Sequence, residues 1–581
     1  MKDVFHLRKL SAMGLLLVSS VSFGHSAMFP DGFSFDNEGE GANPADELTA
    51  KSAARSMMSA ASSAEAATAA VLAGTCTGGE ASGYPCKKIH LQSFLPKASM
   101  GAGSSIELND IWGWTDPLTG NEIAIVGLAN GTSFVDVTDP TSPNFLAFLP
   151  AHNNGNDSWR DVKTYNDHAF IVADGRGNAG HGMQVFDLTR LKSLSGGVTV
   201  SADAHLGGFG ASHNININED TGYAYIVGAD QCSGGLYMAN ISDPKNPTYA
   251  GCYSADGYTH DAQCVTYAGP DLRYTGREIC IAYNEDTITI VDVTNKSNPQ
   301  MLERQPYSGS QYTHQGWFME GPGIPKHTYL IMNDELDEQR NGHNTTSYIY
   351  DATSLTSITE LGRYLGPTAA IDHNLYTKDG FIFESNYRAG LRILDGSRIS
   401  EGILKEVAYF DTIPGSNTAQ FSGTWSNYAY FESGNIITSD IEHGLFTVTP
   451  DWAAINEGDD GKVFESTDVF DIPDNDPVGV SSPIDVTYDG TAGLISVEVN
   501  ITHTYKGDLV VDLIAPDGSV YNLHNKTGGS ANNIYETYNV DASSESALGT
   551  WTLKVVDTYR RDIGKINAWS ITFPSRDALK H

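Results

Sequence analysis

The sequence predicts an all-β protein, in which a seven-bladed β-propeller is followed by a separate β-rich unit at the C-terminal end. Three observations support this prediction. Apolar and aromatic residues make up 40% and 10% of the chain, and 59 glycines and 28 tyrosines favour short strands joined by turns. A pattern of strand, turn and strand recurs at the spacing of propeller blades. The length of 581 residues exceeds what one compact core needs, so we expect more than one folding unit.

The first residues have the layout of a secretory signal peptide. Lys2, Arg8 and Lys9 precede an apolar run from Met13 to Val21, and small residues follow as far as Ala27. The run is shorter than the roughly 20 residues that span a bilayer. We therefore expect residues 1–27 to be removed on export and the protein to be secreted, either extracellular or periplasmic. No later stretch is apolar for long enough to predict a transmembrane segment.

Residues 28–85 are predicted to be a spacer. They begin with a polar stretch and continue with a segment rich in alanine and serine, from Ala50 to Ala73. A helix formed there would offer a face made mostly of alanine, which gives little to pack against. The composition is typical of a linker rather than of a folded core.

Seven copies of the repeated pattern occupy residues 86–452. The first six copies close on an acidic or amide residue at intervals of 44 to 59 residues. These closing residues are Asp136, Asp187, Asn240, Asp292, Asp351 and Asp395. A shorter strand precedes each copy and is predicted to be the innermost strand of its blade. The last copy lacks an outer strand, so we expect residues 89–96, which resemble 144–150, to pair with it and close the ring.

The six cysteines fit an exported protein, because disulfides persist in oxidising compartments. Their order along the chain predicts three local bridges, although six cysteines allow 15 arrangements. The expected pairs are Cys76 with Cys86, Cys232 with Cys252, and Cys264 with Cys280. A zinc site is the alternative, but no two cysteines have the CxxC spacing that would favour it.

Four histidines stand at equivalent positions at four successive predicted inner strands. They are His213, His260, His314 and His373. Inner strands line the channel of a propeller, so four imidazoles there could bind a transition metal such as Zn²⁺, Cu²⁺ or Fe²⁺. The alternative is structural: one useful hydrogen bond between blades, duplicated with the repeat, would also appear four times.

Polar residues near the same end of the predicted blades form a second candidate site. They are Arg160, Asp161, Asp334, Glu335, Glu384 and Arg388. A concave polar rim is suited to a polar small molecule, a glycan or a protein partner. The plain alternative is that they are ordinary solvated turn residues.

Several longer phrases resemble a known family. They include IWGWTDPLTG at 111–120, EDTITIVDVT at 285–294, THQGW at 313–317 and NYRAGLRILD at 386–395. Because of these stretches, the region 76–450 resembles secreted proteins with LVIVD repeats, known as the choice-of-anchor B family. The resemblance implies a β-propeller and no established activity.

After a linker at 453–470, residues 471–581 form a separate unit. The phrases at 503–523, 549–557 and 566–573 alternate apolar and polar residues, as half-buried strands do. They resemble the P domain, or homo B domain, of subtilisin-like proprotein convertases. The resemblance implies a jelly-roll β-sandwich that stabilises or regulates a protease. Asp474, Asn475 and Asp508 are candidate Ca²⁺ ligands, since loop oxygens favour hard cations, but turn capping explains them equally well.

The charge balance excludes one class of partner. With 71 acidic and 35 basic residues the net charge is −36, whereas a nucleic-acid binder needs clustered lysine and arginine.

The leading functional hypothesis is a secreted binding or interaction module. The alternatives are a metal-dependent enzyme that uses the four histidines, and a regulator of a subtilisin-like protease that acts through the P-type unit.

Overall fold

The structure is a computed structural model that describes residues 73–101, 103, 106–174, 180–457, 462–488 and 490–573. The predicted signal peptide and most of the predicted spacer lie outside these residues. Almost all regular structure is β, as the sequence predicts. In the N-terminal part the strands are β1 (Glu80–Ala81), β2 (Tyr84–Lys87), β3 (Ile89–Pro96), β4 (Leu108–Thr115), β5 (Glu122–Leu128), β6 (Gly131–Asp136), β7 (Asn144–Pro150), β8 (Trp159–Tyr165), β9 (His168–Asp174), β10 (Met183–Asp187), β11 (Val198–Thr199), β12 (Ala204–Leu206), β13 (Asn214–Asn218), β14 (Tyr223–Val227), β15 (Leu236–Asn240), β16 (Thr248–Tyr253), β17 (Asp261–Thr266), β18 (Glu278–Tyr283), β19 (Ile288–Asp292), β20 (Gln300–Gln305), β21 (Thr313–Phe318), β22 (Tyr329–Asp334), β23 (Thr346–Asp351), β24 (Thr359–Leu365), β25 (Asn374–Lys378), β26 (Phe381–Ser385), β27 (Leu391–Asp395), β28 (Lys405–Phe410), β29 (Thr424–Tyr428), β30 (Ile436–Asp440) and β31 (Gly444–Pro450).

Within the described residues these strands form seven sheets, each built on an antiparallel meander of four strands or a close variant of it, and only β11 pairs parallel, with β7. We call residues 80–450, which contain them, the repeat region. The sheet orders are β4-β5-β6-β7-β11, β8-β9-β10-β12, β13-β14-β15-β16, β17-β18-β19-β20, β21-β22-β23-β24, β25-β26-β27-β28-β2-β1 and β29-β30-β31-β3. Such four-stranded sheets are consistent with propeller blades.

The last sheet takes its outer strand from the beginning of the repeat region. Strand β3 pairs antiparallel with β31, with Ile89 opposite Pro450 and Pro96 opposite Gly444. Phe94 of β3 packs against Phe446 of β31 with ring centroids 4.6 Å apart. The pairing that the sequence predicts for residues 89–96 is therefore present.

Side chains join neighbouring sheets where no strand ladder can do so. Asp161 of β8 accepts a hydrogen bond from the backbone N–H of Ile215 in β13, at 2.7 Å. The side-chain oxygen of Gln315 in β21 accepts from the N–H of Leu375 in β25, and its amide donates to the carbonyl of the same residue. These bonds satisfy buried polar groups at the inner ends of the sheets.

All three disulfides connect the cysteines that the sequence predicts. The bridges are Cys76–Cys86, Cys232–Cys252 and Cys264–Cys280. The third joins directly opposite positions of β17 and β18. The first tethers the segment that precedes β1, in the part predicted to be a spacer, to strand β2, which pairs with β28. The ordered sheet thus begins a few residues before the predicted boundary at residue 86.

Helices are few and short in the described part of the chain. The α-helices are α1 (Asp337–Asn341) and α2 (Trp452–Glu457), and the 3₁₀ turns are Lys97–Met100, Leu188–Ser193, Cys232–Gly234, Ile399–Glu401 and Lys506–Asp508. None of the helices in this part is long and apolar enough to cross a membrane.

The C-terminal part is a two-sheet β-sandwich. One sheet has the order β32-β40-β35-β38 with β33 also on β40, and the other has the order β34-β39-β36-β37. Between them lies a core of aliphatic side chains around Trp551 and Trp569. The strands are β32 (Lys462–Ser466), β33 (Phe470–Ile472), β34 (Val480–Val486), β35 (Thr491–His503), β36 (Leu509–Ile514), β37 (Val520–Asn525), β38 (Ile534–Ser546), β39 (Gly549–Asp557) and β40 (Gly564–Phe573).

One feature of the sandwich differs from the sequence interpretation. Strand β32 lies within residues 453–470, which the sequence assigns to a linker, yet it pairs with β40 along its full length from Lys462 to Ser466. The sequence of β32 belongs to no repeat and to no phrase of the C-terminal resemblance, so nothing local marks it as part of a sheet.

Candidate metal site

The four repeated histidines stand at the same end of four successive sheets. His213, His260 and His373 each directly precede the first strand of their sheet, and His314 is the second residue of its strand. The backbone N–H groups of His213 and His260 donate to the second strand of the same sheet, at Val227 and Tyr283. His213 and His260 therefore project their imidazoles from equivalent backbone positions, whereas His314 lies at a register shift between Thr313 and Gln315.

The imidazoles lie side by side in a row. Neighbouring ring centroids are 4.3 Å apart for His213 and His260, 4.1 Å for His260 and His314, and 4.4 Å for His314 and His373. Sheets that are separate in sequence thus bring four imidazoles together.

Hydrogen bonds fix which ring nitrogen can bind a metal. Nδ1 of His260 lies 3.0 Å from the carbonyl of His314, and Nδ1 of His373 lies 2.6 Å from the carbonyl of Trp425. A carbonyl only accepts, so Nδ1 carries the proton and donates it, and in the neutral ring Nε2 keeps its lone pair. Neither ring nitrogen of His314 has a hydrogen-bond partner. Nδ1 of His213 lies 3.2 Å from a carboxylate oxygen of Asp174.

A carboxylate completes the group. Glu335, in the turn after β22, places one oxygen 3.8 Å from Nε2 of His314 and the other 3.7 Å from Nε2 of His373. Donor atoms of His260, His314 and Glu335 all lie within 4.8 Å of one another. Donors bound at about 2.0–2.1 Å to a tetrahedral ion stand about 3.4 Å apart, so small side-chain shifts suffice for coordination. We call the four histidines and Glu335 the histidine cluster.

The turn that carries Glu335 is firmly held. The carboxylate of Asp334 accepts hydrogen bonds from the backbone N–H groups of Gln311 and Tyr312 and from the hydroxyl of Tyr307, each at 2.7 Å. The hydroxyl of Tyr387 donates to Glu335 at 2.7 Å. A ligand that is hydrogen-bonded by a neighbouring group is typical of metal centres.

Burial keeps three imidazoles of the cluster in the neutral state that metal binding needs, but it disfavours the charged form of Glu335. His260, His314, His373 and Glu335 are each at most 5% exposed. Burial, with the neighbouring imidazoles, holds the pKa of His260 and of His314 well below the ordinary value, and burial lowers the pKa of His373 to about 4. Burial also raises the pKa of Glu335 to about 7. These three imidazoles are therefore neutral at physiological pH, as metal ligation requires.

The other residues predicted to form a polar rim are mostly committed to the fold. Arg160 is 1% exposed, and its guanidinium contacts the Leu128 carbonyl, His181 and Asp157. Asp161 pairs with Lys163 at 2.6 Å. The contacts of both lie within the repeat region.

The remaining predicted rim residues occupy two environments. Glu384 is buried and accepts hydrogen bonds from Ser347 and Asn386. Arg388 reaches across to a loop and donates to Ser416 and Ser422. Of the rim residues, only Asp334 and Glu335 lie at the histidine cluster, and ligand binding by the others stays a prediction.

The candidate calcium ligands of the C-terminal unit approach one loop. Asp474 accepts from the backbone N–H of Arg561, and the carbonyl of Asp508 accepts from the N–H of Thr558. Asn475 has a positive φ of 50°, which asparagine tolerates in a turn. Burial and then the neighbouring Asp557 raise the pKa of Asp508. Calcium binding there stays a prediction.

Sequence reasoning located the histidines but not the complete cluster. The sequence predicts Glu335 as part of a polar rim and does not single out Tyr387. The histidines recur with the repeat and are visible as a pattern. Glu335 and Tyr387 each occur once, so their meeting depends on how two sheets pack.

Two family models match the chain. Residues 275–305 match the LVIVD repeat, and residues 493–573 match the proprotein convertase P-domain. The fold and the sequence thus define a mostly β protein with an LVIVD repeat and a C-terminal P domain. Three disulfides indicate that it is extracytoplasmic.

Curated relatives share only a short part of the chain, the P-domain region. "Leupeptin-inactivating enzyme 1" of Streptomyces exfoliatus is 56% identical over 117 residues, which are 19% of this chain and 26% of that protein. "Transglutaminase-activating metalloprotease" of Streptomyces mobaraensis is 50% identical over 121 residues, 20% of this chain and 16% of that protein. "Calcium-dependent protease" of Trichormus variabilis is 38% identical over 115 residues, 18% of this chain and 17% of that protein.

Two solved structures align with more than half of the chain, at low sequence identity and low TM-scores. A protein from Lactobacillus plantarum aligns with a TM-score of 0.37 at 13% identity, covering 57% of this chain and 87% of that chain. Hydrazine synthase of Kuenenia stuttgartiensis aligns with a TM-score of 0.38 at 10% identity, covering 56% of this chain and 91% of that chain.

Proposed function

We propose that this chain is a secreted metal-binding protein whose repeat region is a closed seven-bladed propeller with a divalent transition metal at the histidine cluster. The observation that carries the proposal is that donor atoms of His260, His314 and Glu335, from separate segments, lie within 4.8 Å of one another. His213 and His373 flank them in the same row. Two imidazoles and one carboxylate suit Zn²⁺, Cu²⁺ or Fe²⁺.

Closure of the propeller is supported by contacts between its two ends. Strand β3 supplies the outer strand of the last sheet. On the other side of that sheet, the ring of Tyr428 in β29 lies against Gly113 of β4, where a Cβ atom would come within 2.2 Å of it. Ser439 of β30 donates a hydrogen bond to the carbonyl of Asn109 in β4 at 2.7 Å. The first and the last sheets are therefore direct neighbours.

The metal would be the point at which a ligand is recognised. Three protein donors leave a coordination position open to a polar molecule or to water. Aromatic rings border the row, with Trp159 5.7 Å from His213 and Tyr312 5.3 Å from His260 between ring centroids. We infer a polar small molecule, a glycan or a protein side chain as the bound partner.

Metal-dependent hydrolysis is the second candidate function. The observation that favours it is the composition of the donor set, because two histidines, one glutamate and an open position are also the ligands of zinc sites that activate water. In that case the metal supplies the Lewis acid, and Tyr387 holds Glu335 in place. Hydrolysis of ester, amide and phosphate-ester substrates can be measured with and without metal. Metal-dependent turnover of any of them would indicate hydrolysis rather than binding alone.

Elemental analysis of the purified protein tests metal binding. We expect about one equivalent of a transition metal per chain and its loss in His314→Ala and Glu335→Ala. His327→Ala is a matched control, because His327 is also buried yet belongs to the contact with Tyr267. Retention of the metal in both cluster variants would overturn the proposal.

The P domain gives the chain a separate interaction module. All three curated relatives reported above carry protease or enzyme names and share only this region with the chain. We infer that the domain binds or stabilises an extracellular protease. The expected result is that the fragment 462–581 lengthens the thermal half-life of a subtilisin-type protease from the same culture medium. An equal half-life with the fragment and with a repeat-region fragment ending at residue 457 would contradict this role.

A further inference from the structure

A group of buried carboxylates lies close to the histidine cluster in sequence but is distinct from it in composition. Asp337 and Glu338 open helix α1, and Asp372 precedes β25. All three are at most 2% exposed. Within the described part of the chain, no lysine or arginine forms an ion pair with any of them. Three acidic groups therefore share a buried region without a basic partner.

Several oxygens of this group have no hydrogen-bond donor. Oδ2 of Asp337 accepts from the hydroxyl of Tyr348 at 2.7 Å, and Oε1 of Glu338 accepts from the backbone N–H of Thr346 at 3.1 Å. The second oxygen of each, and both oxygens of Asp372, have no partner. Asp372 is 0% exposed and interacts electrostatically with Glu338 and Asp337. Buried carboxylate oxygens without partners are strongly unfavourable unless something neutralises them.

An imidazole completes the set of donors. Nε2 of His343 lies 3.7 Å from Asp337, and donor atoms of Asp337, Glu338 and His343 all lie within 4.8 Å of one another. Nδ1 of His343 lies 2.8 Å from the carbonyl of Asn344. Nδ1 therefore carries the proton, and Nε2 keeps its lone pair on the side of the carboxylates.

We propose that Asp337, Glu338 and His343 form a second metal site, which binds a hard divalent cation. Carboxylate oxygens dominate the set, which favours Ca²⁺ or Mn²⁺, and participation by His343 selects Mn²⁺. The histidine cluster, with its excess of nitrogen donors, takes a softer ion. The proposal does not depend on metal binding at the histidine cluster.

The cation would stabilise the segment that carries one member of the histidine cluster. Glu335 lies two residues before Asp337. A cation held by Asp337, Glu338 and His343 fixes the start of helix α1 and the loop after it. It is therefore a structural cation that helps to hold Glu335 in position.

Shared protons are the competing way to neutralise these acids. Burial, followed by the charge of Asp337, raises the pKa of Glu338 to about 10, and burial raises the pKa of Asp337 to about 6. A protonated pair would need no metal. The two explanations differ in whether a chelator changes the protein.

Cation titration of the full chain after EDTA treatment tests the proposal. The probes are Ca²⁺ by calorimetry, Mn²⁺ by electron paramagnetic resonance, and Tb³⁺ luminescence, for which Tyr348 stands beside the site as sensitiser. We expect Asp337→Asn and Glu338→Gln each to lose one equivalent relative to the wild type. Asp411→Asn, which changes a buried carboxylate directly after β28, and Asp508→Asn in the P domain should keep that equivalent.

Thermal unfolding gives a readout that does not depend on stoichiometry. The cation should raise the Tm of the EDTA-treated wild type, and the rise should be absent in Glu338→Gln. Without cation, Glu338→Gln should melt no lower than the wild type, because it removes the repulsion between two buried carboxylates. Equal cation equivalents, or an equal rise of Tm, in wild type and both site variants would overturn the proposal in favour of shared protons.

Discussion

At the scale of the residue, one imidazole performs two tasks with its two nitrogens. Nδ1 of His260 donates to the carbonyl of His314 in the next sheet, while Nε2 is left for a metal. A repeated structural hydrogen bond and a metal ligand are thus compatible roles of one side chain. When a repeat is duplicated, its histidine is copied with it. The duplication that multiplies the hydrogen bond between sheets therefore also multiplies the potential metal ligand.

Replacing His260 by asparagine separates these two tasks. The amide of asparagine can donate near the position of Nδ1, but it offers nothing at Nε2. We expect His260→Asn to lose metal affinity as fully as His260→Ala while retaining more stability, by about 1 kcal/mol for the kept hydrogen bond. Metal content and urea midpoints measure the two effects. Equal urea midpoints for the two variants would show that the hydrogen bond contributes nothing.

Tyr387 offers a prediction about positioning. Its hydroxyl holds Glu335, so Tyr387→Phe should weaken metal binding about 10- to 100-fold without removing a ligand. Competition with a chromophoric chelator measures the change. Tyr350→Phe is the control, because the buried hydroxyl of Tyr350 has no partner and its loss should leave affinity unchanged. An unchanged affinity in Tyr387→Phe would contradict the positioning role.

At the scale of the element, the inner strands depend on side-chain amides to reach their neighbours. Gln315 bonds both the N–H and the carbonyl of Leu375, and Asn216 accepts from the N–H of Cys264 at 2.9 Å. Backbone groups at the inner ends of the sheets would otherwise be buried without a partner. These amides therefore act in place of a strand ladder between sheets.

Gln315→Leu tests this role with a side chain of similar size. It leaves the N–H and carbonyl of Leu375 without their side-chain partner, and we expect a loss of about 2–4 kcal/mol in the free energy of unfolding. Urea denaturation measures the loss. Gln300→Leu, at an exposed outer strand, should change stability by less than about 0.5 kcal/mol. A comparable small change in Gln315→Leu would show that these bonds are dispensable.

The sequence predicts those elements whose signal is local or repeated. Inner strands, hairpins, the pairing of residues 89–96 and the disulfide pairs follow from alternation, from the repeat and from cysteine order. Strands β1 and β32 lie at the edges of their sheets, outside any repeat, and the sequence assigns them to a spacer and a linker. Glu338 and His343 are not predicted as a site, because neither residue recurs with the repeat.

At the scale of the whole molecule, β32 determines where a stable fragment of the P domain must begin. The strand pairs with β40, the last strand of the sandwich, and so protects its edge. We expect the fragment 462–581 to fold with a higher Tm than the fragment 471–581, which lacks β32. Circular dichroism melting of both fragments compares them. Identical Tm values would place β32 outside the cooperative unit.

The net charge of −36 also belongs to this scale. An acidic surface raises the local concentration of divalent cations and lowers that of anions. The field thus favours occupation of both proposed sites, and high salt should reduce apparent cation affinity by screening.

The pairing of β3 with β31 has a consequence for export. Ile89 meets its partner Pro450 only after the whole intervening chain has crossed the membrane, if the N-terminal end emerges first. Until then, β3 has no partner strand on the far side of the membrane. We therefore expect a holding chaperone, or rapid translocation, to limit aggregation of the half-emerged chain.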